Sequence, residues 1–278
     1  MKYLRLGKEG AETPCVLDAK GVARDVSSLV RDFGPKTLAD LPELFSELDL
    51  DELPIYEGDK RVGTPISQPK NIYCVGLNYS DHAAEAGLPV PEEPILFNKS
   101  ASTFCGPNAP LLYAAHMTKL DWEVELGIVI GKTALGVSPE EALDHVAGFT
   151  LVNDVSERAW QIERGGQWMK GKSFPNFCPT GPWLVTPDEL DVQNLDMWLD
   201  VNGERMQTGT TAKMIFDVKT IVSYMSSYMM LEEGDLICTG TPPGVGMGMK
   251  PPRYLKVGDT VELGIEGLGK QKQTVETL

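Results

Sequence analysis

Two glutamates one residue apart on a hydrophobic strand pattern are the first residues here with chemistry to offer. In Trp122-Glu123-Val124-Glu125-Leu126-Gly127-Ile128-Val129-Ile130 the strand period sets Glu123 and Glu125 on one face and Val124, Leu126, Ile128 and Ile130 on the other. The apolar face has to be covered, so the two carboxylates stand close together opposite it. Like charges at that spacing repel unless they are solvated, protonated or bridged by a cation. A second apolar run, Phe149 to Asn153, delivers Asp154 at its C-terminal end. Carboxylates converging from two strand segments as Glu123, Glu125 and Asp154 make a hard oxygen site suited to Mg2+, Mn2+ or Ca2+. The E-x-E pattern is also what the wet face of an ordinary antiparallel strand shows, and Asn-Asp often only opens a turn.

Other segments could serve such a site. Gly76 to Glu85 leaves a strand and starts a helix on which His82 and Glu85 are i and i+3, close enough for Glu85 to orient the imidazole. A histidine held beside a metal site can take a proton from water; otherwise the two form a surface pair. Lys170-Gly171-Lys172 precedes the Pro179-Thr180-Gly181-Pro182 turn, a setting in which lysines are ordinarily solvated. Thr239-Gly240-Thr241-Pro242-Pro243-Gly244-Val245-Gly246 follows a strand, and its N–H groups and hydroxyls could bind a carboxylate. It lacks the lysine and spacing of a P-loop, which argues against nucleotide binding.

The elements that position these residues are mostly strands. Residues 1–65 read as a small N-terminal α/β domain: a strand near Tyr3, a hairpin turning at Lys20-Gly21, a helix starting at Asp25, and a solvated acidic helix and connector between Asp40 and Asp59. Residues 66–278 read as the catalytic domain, with short apolar strands at Asn71–Gly76, Glu123–Ile130, Phe149–Asn153, Pro182–Val185, Leu195–Val201, Asp235–Thr239 and Asp259–Leu263. Helical patterns sit at Pro139–His145 and Thr211–Met230, and Met225, Met229 and Met230 read as core. The fold class is a β-rich α/β mixture without strict β-α-β alternation.

Composition excludes several functions. A net charge of −15 argues against nucleic acid as a partner. The N-terminus carries no apolar run behind its basic residues, and the uncharged stretch at Leu236–Met249 is too rich in Gly and Pro for a membrane helix. Cys15, Cys74, Cys105, Cys178 and Cys238 are odd in number and contain no C-x-x-C, which fits a reducing cytoplasm and excludes a thiolate zinc site.

Taken in order, VGLNYSDHAAE, DWEVELGIVIG, NDVSERAWQ, KGKSF with PTGPW, and TGTPPGVG resemble the fumarylacetoacetate hydrolase family from about Gln68 to Val275. The resemblance implies a mixed β-roll with a central divalent metal, Mg2+ or Mn2+, and a homodimer, with further pairing of dimers left open. It makes Glu123, Glu125 and Asp154 the metal ligands and His82 with Glu85 the acid–base dyad. Lys172 matches the lysine beside the substrate oxygens, Arg158 and Gln161 match positions that contact substrate, and Thr241 matches the threonine that holds its carboxylate. One departure is Pro175, where many members carry Asp after K-S-F.

The implied reaction is cleavage of the C3–C4 bond of a 2,4-dioxo acid to pyruvate and a second acid. The small N-terminal domain and the LNYSDHAAEAGLPVPEEP wording look most like 2,4-diketo-3-deoxy sugar-acid hydrolases, acting on L-rhamnonate- or L-fuconate-derived substrates and giving pyruvate and lactate. Acylpyruvate hydrolysis, oxaloacetate decarboxylation and ureidoglycolate lysis use the same site. A non-catalytic acidic cation-binding protein would account for the charge and the carboxylates, but leaves His82, Glu85, Lys172 and Thr241 without a task.

Overall fold

Short, densely buried strands carry this chain, and among the described residues helices are few and brief. The computed structural model describes residues 1–81 and 89–278; His82 and Glu85 lie outside the described residues. The chain begins with an antiparallel meander of β1 (Lys2–Leu6), β2 (Thr13–Leu17) and β3 (Ala23–Asp25). The next strands are β4 (Ile72–Gly76), β5 (Ile95–Lys99), β6 (Phe104–Cys105), β7 (Leu111–Tyr113), β8 (Leu120–Asp121), β9 (Val124–Ile130) and β10 (Val146–Asn153). They are followed by β11 (Ser156–Glu157), β12 (Cys178–Pro179), β13 (Leu184–Val185), β14 (Asp196–Val201) and β15 (Glu204–Thr210). The last are β16 (Leu236–Cys238), β17 (Thr260–Ile265) and β18 (Gly269–Thr277).

A nine-stranded sheet has the order β3-β2-β1-β13-β10-β9-β16-β4-β5, and a five-stranded sheet the order β15-β14-β17-β18-β7. β8 pairs with β11 and β6 with β12 in two small ribbons. At the centre of the large sheet β9 and β10 run antiparallel from Asn153 opposite Val124 to Val146 opposite Ile130. Both strands are buried along their whole length. One face, with Val124, Leu126, Ile128 and Leu151, packs against Met197, Leu199, Val261 and Leu263 of the smaller sheet. The other face, with Val129 and Val152, packs against Tyr3, Val16, Phe33 and Leu41. Burial on both sides removes the wet-face reading of the E-x-E strand, because no side of β9 meets bulk water. Residues 1–65 thus extend the edge of the large sheet through the β1–β13 pairing and cover its second face.

Several local expectations change in the folded chain. Asp25 to Phe33 forms a single turn, with Ser27 N donating to Asp25 Oδ1 and Val30 N to Val26 O. Phe33 then turns inward onto Tyr3 at a ring separation of 5.2 Å. The acidic stretch holds one short helix, Leu41–Phe45, and Pro139–His145 keeps only a 3-10 turn at Ala142–His145. The long helical pattern starts at Val218, seven residues late, because Asn78 captures the preceding backbone: Ile215 N donates to its carbonyl and Phe216 N to its Oδ1, both at 2.8 Å. Asp217 then caps the helix Val218–Tyr228, whose Val218, Ile221, Val222 and Met225 form the buried stripe. Met225 is core as expected, whereas Met230 is exposed. Among the described residues no helix is long and apolar enough to cross a membrane.

Candidate metal centre

The register of β9 and β10 builds the acidic floor of the site. Glu123 precedes β9, Asp154 follows β10, and Asp154 N donates to Glu123 O at 2.9 Å, so the two ends lie side by side. Glu125, one strand period on, shares the face of Glu123. One oxygen from each of Glu123, Glu125 and Asp154 lies within 4.8 Å of the others, and all three residues are buried.

Among the described residues, cations form ion pairs with two of these acids and not with the third. Lys172 Nζ stands 2.7 Å from both Glu123 Oε2 and Asp154 Oδ2. Lys99 Nζ bonds the other Asp154 oxygen and the Val155 carbonyl. Arg158 Nη2 lies 2.7 Å from Glu123 Oε1, its Nε donates to Asp121 Oδ2 at 2.8 Å, and its Nη1 donates to Gln161 Oε1 at 3.0 Å. Glu125 accepts a hydrogen bond from Gly240 N at 2.8 Å, and among the described residues no cation pairs with it.

The proton affinities follow that asymmetry. Burial alone would raise the Glu123 carboxyl, but Lys172 and Arg158 outweigh it and hold the group well below the usual carboxylate range. Burial and then the charges of Asp154 and Glu123 push Glu125 well above that range. Burial disfavours the charged form of Lys172, yet Asp154 and Glu123 raise its proton affinity overall. The floor is therefore short of positive charge at Glu125, where three oxygens meet. An all-oxygen donor set with that deficit fits a hard divalent cation held by Glu123, Glu125 and Asp154.

Close backbone approaches deliver the other groups. The helix Met169–Lys172 lies against the helix Arg158–Ile162 at Gly171, where a Cβ would stand 2.4 Å from Glu157 O and 2.5 Å from Gln161 N. That contact carries Lys172 inward, so it is 2% exposed and not solvated as its segment led one to expect. Because the opposing atoms are backbone, Gly171→Ala should destabilise the fold by roughly 1–3 kcal/mol. It should also lower turnover by shifting Lys172. A variant with wild-type denaturant midpoint and kcat would refute this account.

The Gly/Pro loop is anchored on the same floor. Gly240 has φ +97, and a Cβ there would approach Asn78 Cβ to 2.9 Å. The Thr241 hydroxyl donates to Val124 O at 2.9 Å and accepts from Gln207 Nε2 at 2.8 Å. Asp121 ties the loop's far end to Arg158: its carboxylate accepts from Gly246 N at 2.7 Å and Met247 N at 3.0 Å as well as from Arg158. Above the floor is a cavity of about 150 Å³ whose walls are Val75, Leu77, Phe97, Ile162, Trp168 and Met247.

Of the residues singled out in the sequence, the structure brings together Glu123, Glu125, Asp154, Lys172, Arg158, Gln161 and Thr241. His82 and Glu85 lie outside the described residues. Lys99 and Asp121 join the site without a role assigned from the sequence. The signal for Lys99 is weak, a lysine closing the apolar run Ile95-Leu96-Phe97, whereas Asp121 stands at the head of the carboxylate motif itself.

Comparison with known proteins bears on this arrangement. The family model described as fumarylacetoacetate (FAA) hydrolase C-terminal matches residues 71–276. A protein of Burkholderia ambifaria is 53% identical over 278 residues, covering 99% of this chain and 98% of that protein, and its name gives no reaction beyond hydrolysis. The structure of a fumarylacetoacetate hydrolase from Exiguobacterium antarcticum shares 39% identity with a TM-score of 0.88 and full coverage of both chains. A maleylpyruvate hydrolase from Sphingobium sp. SYK-6, in complex with manganese(II) ion and pyruvate, shares 25% identity with a TM-score of 0.78, covering 100% of this chain and 99% of its own.

Proposed function

The chain belongs to the fumarylacetoacetate hydrolase family of enzymes, and from that membership we propose that it is a divalent-metal-dependent hydrolase splitting the C3–C4 bond of a 2,4-dioxo acid. The observation that carries the reading is the buried Glu125, without an ion-pair partner among the described residues, beside Glu123 and Asp154 and in one small cavity with Lys172 and Arg158. Glu123, Glu125 and Asp154 would hold the metal, Mg2+ or Mn2+, which would supply Lewis acidity there. The complex of the maleylpyruvate hydrolase with manganese(II) and pyruvate supports the reading.

The chain's own groups divide the remaining work. Arg158 and Gln161 contact the substrate, and Thr241, on the loop side of the floor, holds its carboxylate. His82, oriented by Glu85, takes a proton from the water that adds to C4. As the C3–C4 bond breaks, its electron pair delocalises onto the C2 oxygen, where the Lys172 ammonium stabilises the charge. Return of a proton to C3 gives pyruvate, and the C4 fragment leaves as a carboxylic acid.

We assign the substrate tail to the 2,4-diketo-3-deoxy acids of L-rhamnonate or L-fuconate type, whose methyl terminus suits walls made of Leu77, Phe97 and Trp168. The same apolar walls favour an acylpyruvate as the second reading. The test is pyruvate release from 2,4-diketo-3-deoxy-L-rhamnonate with Mg2+, with and without EDTA. EDTA-sensitive pyruvate with lactate as co-product is the expected result. Turnover of acetylpyruvate alone would select the second reading, and turnover of neither would refute the assignment. His82→Ala should cost hydrolysis about 10²–10⁴-fold. Oxaloacetate decarboxylation, which needs no attacking water, should fall much less. Equal losses would remove His82 from its role. The proposed assembly is a homodimer, to be checked by light scattering.

A further inference from the structure

We infer that Trp168 closes the distal end of the cavity and restricts the substrate to a short, methyl-terminated tail. The inference rests on the assignment of a 2,4-dioxo acid to this cavity. Contacts run outward from the floor in one series. Lys172 Nζ, seated on Glu123 and Asp154, lies 5.1 Å from the centroid of the Phe97 ring. Phe97 in turn meets Trp168 edge-on, with centroids 5.2 Å apart and an interplanar angle of 64°. Burial falls along the series, from Lys172 (buried) to Phe97 and Trp168 (half-buried), and Ile162, which also lines the cavity, is exposed. The indole therefore stands two side chains out from the carboxylates, between the floor and solvent.

Two local features put it there. The ring packs over the end of β4 at Gly76, where a Cβ would come within 2.6 Å of Trp168 Cζ3, so only bare backbone admits it. The chain leading to it turns through Gly165 and Gly166 at φ +81 and +67, a left-handed pair that bends the segment back toward the cavity. Trp168 also begins the short helix that carries Lys172, which links the position of the wall to that of the ammonium. A tail longer than a few carbons would have to displace the indole from Gly76 and Phe97 together.

The test uses binding rather than turnover. The full chain, supplemented with Mg2+, is titrated calorimetrically with pyruvate, 2-oxobutanoate, 2-oxohexanoate and 2-oxooctanoate. The wild type should lose affinity as the chain lengthens. In Trp168→Ala the affinity ratio of 2-oxooctanoate to pyruvate should rise at least about tenfold over wild type, with Trp168→Phe in between. A ratio within one protein cancels a general loss of folding or metal. The same chain-length profile in all three proteins, or a parallel fall for every ligand, would overturn the inference. If the wild type cleaves no 2,4-dioxo acid, the functional assignment fails while the ratio still decides the role of Trp168.

Discussion

Exchanging Asp154 for asparagine should abolish the stabilisation conferred by Mg2+ in a thermal melt, lower the melting temperature of the metal-free protein, and cut turnover about a thousandfold. The loss of stability follows from partners rather than from metal. Asp154 is fully buried and holds both Lys99 and Lys172, so the neutral amide leaves a buried ammonium unpaired, at a cost of roughly 3–5 kcal/mol. Glu125→Gln provides the opposite sign in the metal-free state. It too should lose the Mg2+ shift, but it removes a carboxylate that burial, Asp154 and Glu123 all disfavour. A carboxyl whose folded pKa lies above its unfolded value favours the fold at low pH, and that contribution is lost as pH rises through the folded value. Melts in EDTA from about pH 5 to about pH 8 should therefore show Glu125→Gln gaining on wild type as pH rises. A full Mg2+ shift in either variant would remove the ligand assignment, and identical pH slopes for Glu125→Gln and wild type would show that the surroundings do not raise the Glu125 carboxyl.

Lys172→Met is expected to separate stability from metal affinity in another way. Methionine keeps most of the stem but strips Glu123 and Asp154 of the cation they share, leaving Arg158 and Lys99 to hold one acid each. The metal-free protein should melt earlier. The Mg2+ shift should grow, because the incoming ion now neutralises more of the floor. Turnover should fall by about 10²–10³-fold through loss of the donor facing the developing oxyanion. A smaller Mg2+ shift than wild type would show that Lys172 helps build the cation site rather than competing for its charge. An unchanged kcat would remove Lys172 from the chemistry.

The acidic floor was legible because strand periodicity alone aligns Glu123 with Glu125 and ends a neighbouring apolar run on Asp154. The same periodicity could not say that both faces of β9 would be covered. That depends on Tyr3, Val16 and Phe33 arriving from more than 90 residues away. Lys172 is interpretable only through resemblance, since its depth is set by the contact of Gly171 with Glu157 at the end of β11 and Gln161 in the helix that follows. The role of Lys99 is hidden in the sequence for a related reason: a strand-terminal lysine looks solvated until Asp154 is brought to it across the sheet. The late start of the helix at Val218 has the same origin, because the competing hydrogen-bond partner, Asn78, is remote in sequence.

The order of strands in the large sheet carries a consequence for how the protein is made. β16 is three residues long and lies between β9 and β4, pairing antiparallel with one and parallel with the other. It is the seam between the part of the sheet that bears Glu123, Glu125 and Asp154 and the part that bears Phe97 and Lys99. Residues 236–238 leave the ribosome long after both parts have emerged, so two unpaired apolar strand edges wait for one short segment. Exposed apolar strand edges of this kind are where aggregation starts during synthesis. Slower translation before residue 236 would lengthen the wait, and a holdase chaperone present during expression would be of most use in that interval.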